Sequence, residues 1–236
     1  MDDIERAAAV FSSSGRFVSF SGAGLSAESG LATFRDPQTG YWAKHDPMKL
    51  ASPDGFARDP ALVIAWYNHR RRTLSGAHPN KAHEALASRR DFLHITQNVD
   101  NLLELAGAMD VAHLHGRIDA DRCHAWCGFE EGIALDDPPD LRECPDCGAL
   151  LRPTVVWFGE SLPATAWDAA SAAAQSADAI LVVGTSASVY PAAGLVQQAQ
   201  AAGATIVEVN IESSLSSADI SLIGQAADLV PRILIP

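Results

Sequence analysis

Apolar and polar positions follow two rhythms along this chain, and the two alternate. Ile4, Ala7, Ala8 and Phe11 recur at helical spacing, and Gly15 follows as a stop. Phe17-Val18-Ser19-Phe20 is a short apolar run of the buried-strand kind. It turns at Gly22-Ala23-Gly24 into helix-compatible residues 26–29. Residues 37–60 lose periodicity. They are rich in Pro, Gly and Asp, with Tyr41 and Trp42 embedded, and predict a loop with short helical pieces. Such a loop is either a flap over a ligand or a plain surface connection. Residues 61–74 predict a helix started by Pro60, with Leu62, Trp66 and His69 in register. Tyr67 and Arg70 share one face of it, and Arg71 and Arg72 read as surface charges.

Residues 78–90 predict another helix, and 92–95 a strand that delivers Thr96-Gln97-Asn98-Val99-Asp100 at its end. A helix over 99–106, closed by Gly107, precedes a short strand at Val111-Ala112-His113-Leu114. Residues 151–160 predict a buried strand, and 171–177 lie in an alanine-rich helix. Ala179-Ile180-Leu181-Val182-Val183 is apolar throughout, as a central parallel strand is, and ends at Gly184-Thr185-Ser186. A helix over 194–202, a strand over 205–209 and a last short strand at 228–230 complete the series. Strands alternating with helices define an α/β fold, a doubly wound, mostly parallel sheet covered on both faces. Ligands of such sheets sit at strand carboxyl ends, which singles out residues 96–100 and 184–186.

Composition narrows the function. The 236 residues are 47% hydrophobic and 19% charged, as in a globular protein. A net charge of −12 argues against direct nucleic-acid binding, which needs clustered Lys and Arg. The acidic start MDDIERAAAV lacks signal-peptide features, and no apolar run approaches a membrane span. A cytoplasmic monomer, with neither membrane nor nucleic acid as a partner, is the expectation. All four cysteines fall in one short region: Cys123 and Cys127 as C-x3-C, then Cys144 and Cys147 as C-x2-C. Without an export signal this spacing points to a four-cysteine zinc site. The first pair is one residue wider than the usual knuckle. Four thiolates leave no open position, so the ion is expected to be structural.

Gly22 to Ala27 reads G-x-G-x-x-A, the dinucleotide fingerprint with Ala27 in the third glycine position. Gly22 allows the tight turn, and Gly24 keeps a side chain away from a pyrophosphate. The continuation is more specific, since GAGLSAESGLATFR resembles the cofactor loop of the sirtuins, NAD-dependent protein lysine deacylases. TQNVDNL, HLHG, RPTVVWFGE and the cysteine pairs resemble the same family in the same order, over nearly the whole chain. Asp36, where a glycine often follows Phe-Arg, is a departure.

The resemblance implies one catalytic domain over 1–236. Residues 1–36, 77–116 and 154–236 would form a Rossmann-like NAD-binding lobe, with a helical insert at 37–76 and a zinc module at 117–153. It assigns Gly22, Ala23, Gly24, Ser26, Ala27, Glu28, Thr33, Phe34 and Arg35 to the cofactor. Gln97 and Asn98 fall on the ribose side, Asp100 at the carboxamide, and Gly184, Thr185, Ser186, Asn210, Glu212 and Ala226 further along NAD. His115, not His113, takes the role of general base, with Asn98 as the second catalytic residue. An imidazole that titrates near neutrality suits removal of a proton from a sugar hydroxyl. Val156, Phe158, Gly159, Glu160, Val189 and Tyr190 would flank the acyl-lysine peptide.

The implied reaction consumes NAD. The acyl oxygen attacks the carbon bearing nicotinamide, and the acyl group ends on ADP-ribose with the lysine free. Tyr67 and Arg70 resemble the Y-x-x-R pair of sirtuins that remove negatively charged acyl groups, which implies succinyl and malonyl substrates, with acetyl also accepted. Two alternatives stay open. One is transfer of ADP-ribose to protein, or NAD hydrolysis, on the same fold; the other is a zinc-stabilised NAD-binding module without catalysis.

Overall fold

The computed structural model describes residues 1–13, 15–33 and 46–235. Helix α1 (Asp3–Ser12) starts on a capping box in which Asp2 and Glu5 satisfy each other's backbone N–H groups. Strand β1 (Phe17–Ser21), buried at every position, leads into α2 (Gly24–Ala27). Then come α3 (Pro47–Leu50), α4 (Pro53–Arg58), α5 (Pro60–Ser75) and α6 (Lys81–Ser88). Pro at the first helical turn and a capping Asp46, Ser52 or Asp59 start α3, α4 and α5. Strand β2 (Phe92–Thr96), α7 (Leu102–Leu105) and β3 (Val111–His113) follow, then β4 (Ala120–Cys123), β5 (Glu130–Gly132) and β6 (Leu151–Pro153). The chain ends through α8 (Ala164–Ser176), β7 (Ala179–Val183), α9 (Gly194–Ala201), β8 (Thr205–Asn210), β9 (Ile220–Ile223) and α10 (Ala226–Leu234).

Six parallel strands lie in the order β3-β2-β1-β7-β8-β9. The order reverses between β1 and β7, so their carboxyl ends open a crevice at the switch point. One apolar cluster, with Phe11, Phe17, Phe92 and Leu181, covers one face of the sheet. A second, with Phe20, Ile95 and Ile180, covers the other. Among the described residues no helix is long and apolar enough to cross a membrane.

A smaller lobe joins α3–α5 to an antiparallel sheet ordered β5-β4-β6. Its own core includes Phe56, Val63, Tyr67, Leu74 and Trp157. Arg71 corrects the reading from sequence. It is not a surface charge but fully buried, donating to Ile118 O at 2.8 Å, to Asn68 Oδ1 at 3.1 Å and to Asp121 Oδ1 at 2.5 Å. A buried guanidinium needs such a full set of acceptors, and this set bolts α5 to the cysteine module. The buried face of α5 runs through Val63, Tyr67, Arg70 and Leu74, while Leu62 and His69 face solvent.

Three other expectations change. The strand expected over 151–160 stops at Pro153 and pairs with β4, not with the large sheet. The helix expected over 99–106 shortens to α7. Residues 228–230, expected as a strand, lie inside α10, whose buried Ala226, Leu229, Val230, Ile233 and Leu234 keep helical spacing.

Two buried histidines make stability depend on pH. Burial lowers both His83 and His94 to about 4. His94 is in β2 opposite Ser19 of β1, with Nδ1 2.8 Å from Ser19 Oγ. The folded protein keeps both rings neutral, whereas the unfolded chain protonates them near pH 6.5. Their contribution is therefore complete above about pH 6.5 and is lost as pH falls towards about 4, at roughly 3 kcal/mol each. Urea midpoints should fall steadily between pH 6.5 and 4.5. A midpoint flat over that window would contradict this account.

Candidate active site

The floor of the crevice is two interlocked turns. Gly22 N donates to Val183 O at 3.0 Å, and Gly24 N to Gly184 O at 2.8 Å. A Cβ at Gly24 would lie 2.6 Å from Gly184 Cα, and one at Gly184, at φ +58°, would lie 2.4 Å from Leu25 N. The glycines thus serve first to let the β1 and β7 turns touch, beyond sparing room for a ligand.

Above this floor opens a cavity of about 850 Å³. Gly22, Ala23, Gly24, Ala27, Glu28 and Thr33 line its first side. Gly184, Thr185, Ser186, Asn210, Glu212 and Ala226 line the far side, and Gln97, Asn98 and His115 stand between. Val156, Phe158, Gly159, Glu160, Val189 and Tyr190 form the mouth, and Tyr67 and Arg70 one end. The cavity is large enough for an extended cofactor together with a side chain. Ser26 and Asp100 do not line it. They line a small adjoining cavity of about 40 Å³ shared with Ala23, Asn98 and Arg70. Phe34, Arg35, Asp36, Tyr41 and Trp42 lie outside the described residues.

Asn98 is fixed on both sides of that junction. Its Nδ2 donates to Gly22 O at 3.0 Å and to Ser26 Oγ at 3.1 Å, and Ser26 Oγ donates to Asp100 Oδ2 at 3.0 Å. Burial raises the Asp100 carboxyl above the usual carboxylate range, against hydrogen bonds from Leu102 and Ser26 that lower it. On the far side, Asn210 Nδ2 donates to Thr185 O and Ser214 Oγ, both at 3.2 Å. Ser214 is held in turn by the buried Glu208 carboxylate. Glu28 accepts from Ala227 N at 2.9 Å, at the start of α10.

The two strand-end histidines differ in what their nitrogens can do. His113 Nδ1 lies 3.1 Å from Asn98 O, and Nε2 lies 2.6 Å from Glu104 Oε1. A backbone carbonyl and a carboxylate thus engage both of its ring nitrogens. Burial opposes ionisation of Glu104, but the hydrogen bond and charge of His113, a backbone hydrogen bond and the Arg117 charge together hold that carboxyl below its ordinary value. His115 Nδ1 lies 3.0 Å from Gln97 O, which fixes the tautomer with Nδ1–H donating and the basic lone pair on Nε2.

At the acyl end, Arg70 Cζ sits 4.8 Å from the Trp66 ring centroid and 5.4 Å from that of Tyr67. Burial raises the Tyr67 phenol pKa despite the nearby Arg70 charge. Trp157, Val155, Ala51, Ser214 and Gln225 also line the cavity and were not singled out from sequence. Trp157 had a signal: it alternates with Val156 and Phe158 inside the RPTVVWFGE run.

The sulfurs of Cys123, Cys127, Cys144 and Cys147 all lie within 4.8 Å of one another. Tetrahedral zinc with bonds of about 2.3 Å needs sulfurs just under 4 Å apart, so the set fits the ion. The extra residue of the wide knuckle is absorbed by Trp126 in left-handed conformation, φ 58°.

A parallel sheet with a ligand crevice at its switch point and a four-cysteine metal module define a dinucleotide-binding domain of the doubly wound class. The chain belongs to the Sir2 family, whose model matches residues 22–191. It is 47% identical over 228 residues to NAD-dependent protein deacylase Sir2 of Mycolicibacterium smegmatis, covering 91% of this chain and 93% of the relative. It is 45% identical over 233 residues to NAD-dependent protein deacylase 1 of Pseudomonas aeruginosa, covering 93% of each. A solved Sir2 homologue in complex with NAD matches with a TM-score of 0.87 at 40% identity, over 99% of this chain and 93% of that one.

Proposed function

We infer that the protein is an NAD-dependent protein lysine deacylase that removes succinyl and malonyl groups, and acetyl groups besides. The observation that carries the acyl class is the placement of Tyr67 and Arg70 side by side at one end of the cavity. NAD, when bound, supplies the electrophilic ribose carbon and the sugar hydroxyl that receives the acyl group. Gly22, Ala23, Gly24, Ser26, Ala27, Glu28, Thr185, Asn210 and Glu212 would hold it. Asn98 would position the ribose side, and Asp100, on the smaller cavity, would take the carboxamide. His115 Nε2 takes the proton of the attacking hydroxyl, and Gln97 O keeps that nitrogen basic. Val156, Phe158, Gly159, Glu160, Val189 and Tyr190 flank the acyl-lysine peptide. Zinc, on the four cysteines, holds the module and takes no part in the chemistry.

A succinyl or malonyl chain ends in a carboxylate, which loses hydration on entering a mostly apolar pocket. Arg70 can offset this with two parallel bonds and the Tyr67 hydroxyl with a third. A charge-assisted bond contributes roughly 1.5–3 kcal/mol, so losing one lowers selectivity about 10- to 100-fold. Arg70→Met should therefore lose succinyl-lysine turnover far more than acetyl-lysine turnover. Mass spectrometry of peptides bearing acetyl-, malonyl- and succinyl-lysine checks this. Equal losses on all three would leave a plain deacetylase.

A further inference from the structure

The geometry points to Trp157 as a positioning residue for the anionic end of the acyl group, acting through the hydroxyl of Tyr67. This rests on the acyl class inferred above and adds the device that sets it. Trp157 is 2% exposed, and its Nε1 donates to the Tyr67 hydroxyl at 2.9 Å. An indole N–H only donates. It therefore occupies a lone pair of the phenol oxygen and turns the phenol proton elsewhere. Among the described residues no side chain or carbonyl accepts that proton within the lobe. Tyr67 and Trp157 both line the cavity, and its acyl end is the direction that remains. The result is a hydroxyl held as a donor. A carboxylate only accepts, so it matches this donor and the Arg70 guanidinium together.

The indole is braced from behind. The Arg152 guanidinium lies 3.8 Å from its ring centroid, and Phe56 packs at 5.3 Å. Arg152 also bonds Val155 O at 3.1 Å and pairs with Glu160, whose other oxygen accepts from Trp157 N at 2.9 Å. A cation over the ring draws charge from it and strengthens the N–H as a donor, and a chain of hydrogen bonds passes that polarisation to the phenol. Arg152 is on β6 and Tyr67 on α5, so the donor is aimed by groups from both halves of the small lobe.

Trp157→Phe removes the N–H and keeps a ring under Arg152. Steady-state kinetics with succinyl-lysine, butyryl-lysine and acetyl-lysine peptides read the effect, butyryl being an uncharged chain of similar length. Succinyl kcat/KM should fall about tenfold, the usual result of losing one oriented hydrogen bond to a charged group. Butyryl and acetyl kcat/KM should stay within about twofold by the same reasoning, as should the KM for NAD. Adding Trp157→Phe to Tyr67→Phe should change the succinyl-to-butyryl ratio no further, since the indole acts through the phenol. Equal losses on all three peptides would overturn the inference in favour of a packing role. So would an undiminished succinyl preference in Trp157→Phe. A wild-type enzyme without succinyl preference would overturn the acyl class itself, a result read before any variant is made.

Discussion

His115→Ala should lose deacylation by at least about 10²-fold while binding NAD as the unaltered protein does. The expectation follows from where the side chain stands. His115 lines the cavity between the two cofactor sides, and its Nδ1 is anchored on Gln97 O at 3.0 Å, a group of the chain and not of a ligand. Removing the imidazole leaves both glycine turns, Asn98 and Asn210 in place, so the contacts that hold a dinucleotide survive. What disappears is the nitrogen that takes a proton from the sugar hydroxyl. His113 cannot substitute, because both of its nitrogens are already engaged by Asn98 O and Glu104. Stopped-flow or calorimetric NAD binding beside succinyl-peptide turnover separates the two effects. Turnover intact in His115→Ala but abolished in His113→Ala would reverse the assignment. His113→Ala should instead behave as a structural change, weakening the junction of β3 with α7.

Much of this site was readable in the chain because it is local. A strand, a glycine turn and the polar residues at the strand end are consecutive, so Gly22–Ala27, Gln97–Asp100 and Gly184–Ser186 announce themselves within a few positions. Arg71 did not, since its acceptors Ile118 and Asp121 lie 47 and 50 residues away in sequence. An arginine on a helix reads as solvated until those acceptors arrive. Ser26 and Asp100, assigned to the cofactor from the motif, bond each other and line a small side cavity next to the main one. Spacing says which turn a residue is on, not which wall of a junction it faces. The last helix is a different kind of error. Ala226, Leu229, Val230 and Ile233 carry helical spacing, and Pro231, which would break most helix interiors, sits within it.

Cys144→Ser should cost the protein its zinc and much of its stability, and the reason is how little else the module has. The buried apolar side chains around the four sulfurs reduce to Cys123, Cys144 and Leu151, with Phe129 and Ala149 packed at the edge. A cluster that small cannot order the loops between β4 and β6, which are acidic and proline-rich. Structural zinc in comparably small modules contributes on the order of 10 kcal/mol, ample to do so. Cys144 is buried, packs its sulfur 3.5 Å from that of Cys127, and anchors the second knuckle through Gly148 N at 2.9 Å. Serine offers no thiolate at that corner, and three ligands hold the ion far less tightly. The loss should not stay local. Asp121 in β4 binds the buried Arg71 of α5, and Arg122 and Arg152 in β4 and β6 hold Glu160 at the cavity mouth. Freed from the ion, these strands lose the frame that keeps the three ion pairs dry, and an unpaired buried arginine is strongly destabilising. Elemental analysis should find about one zinc per chain before the substitution and little after it. Thermal melting should drop well beyond a typical surface substitution, with deacylation falling in parallel. Full metal content together with unchanged melting in Cys144→Ser would show that the cysteine cluster is not what holds the module.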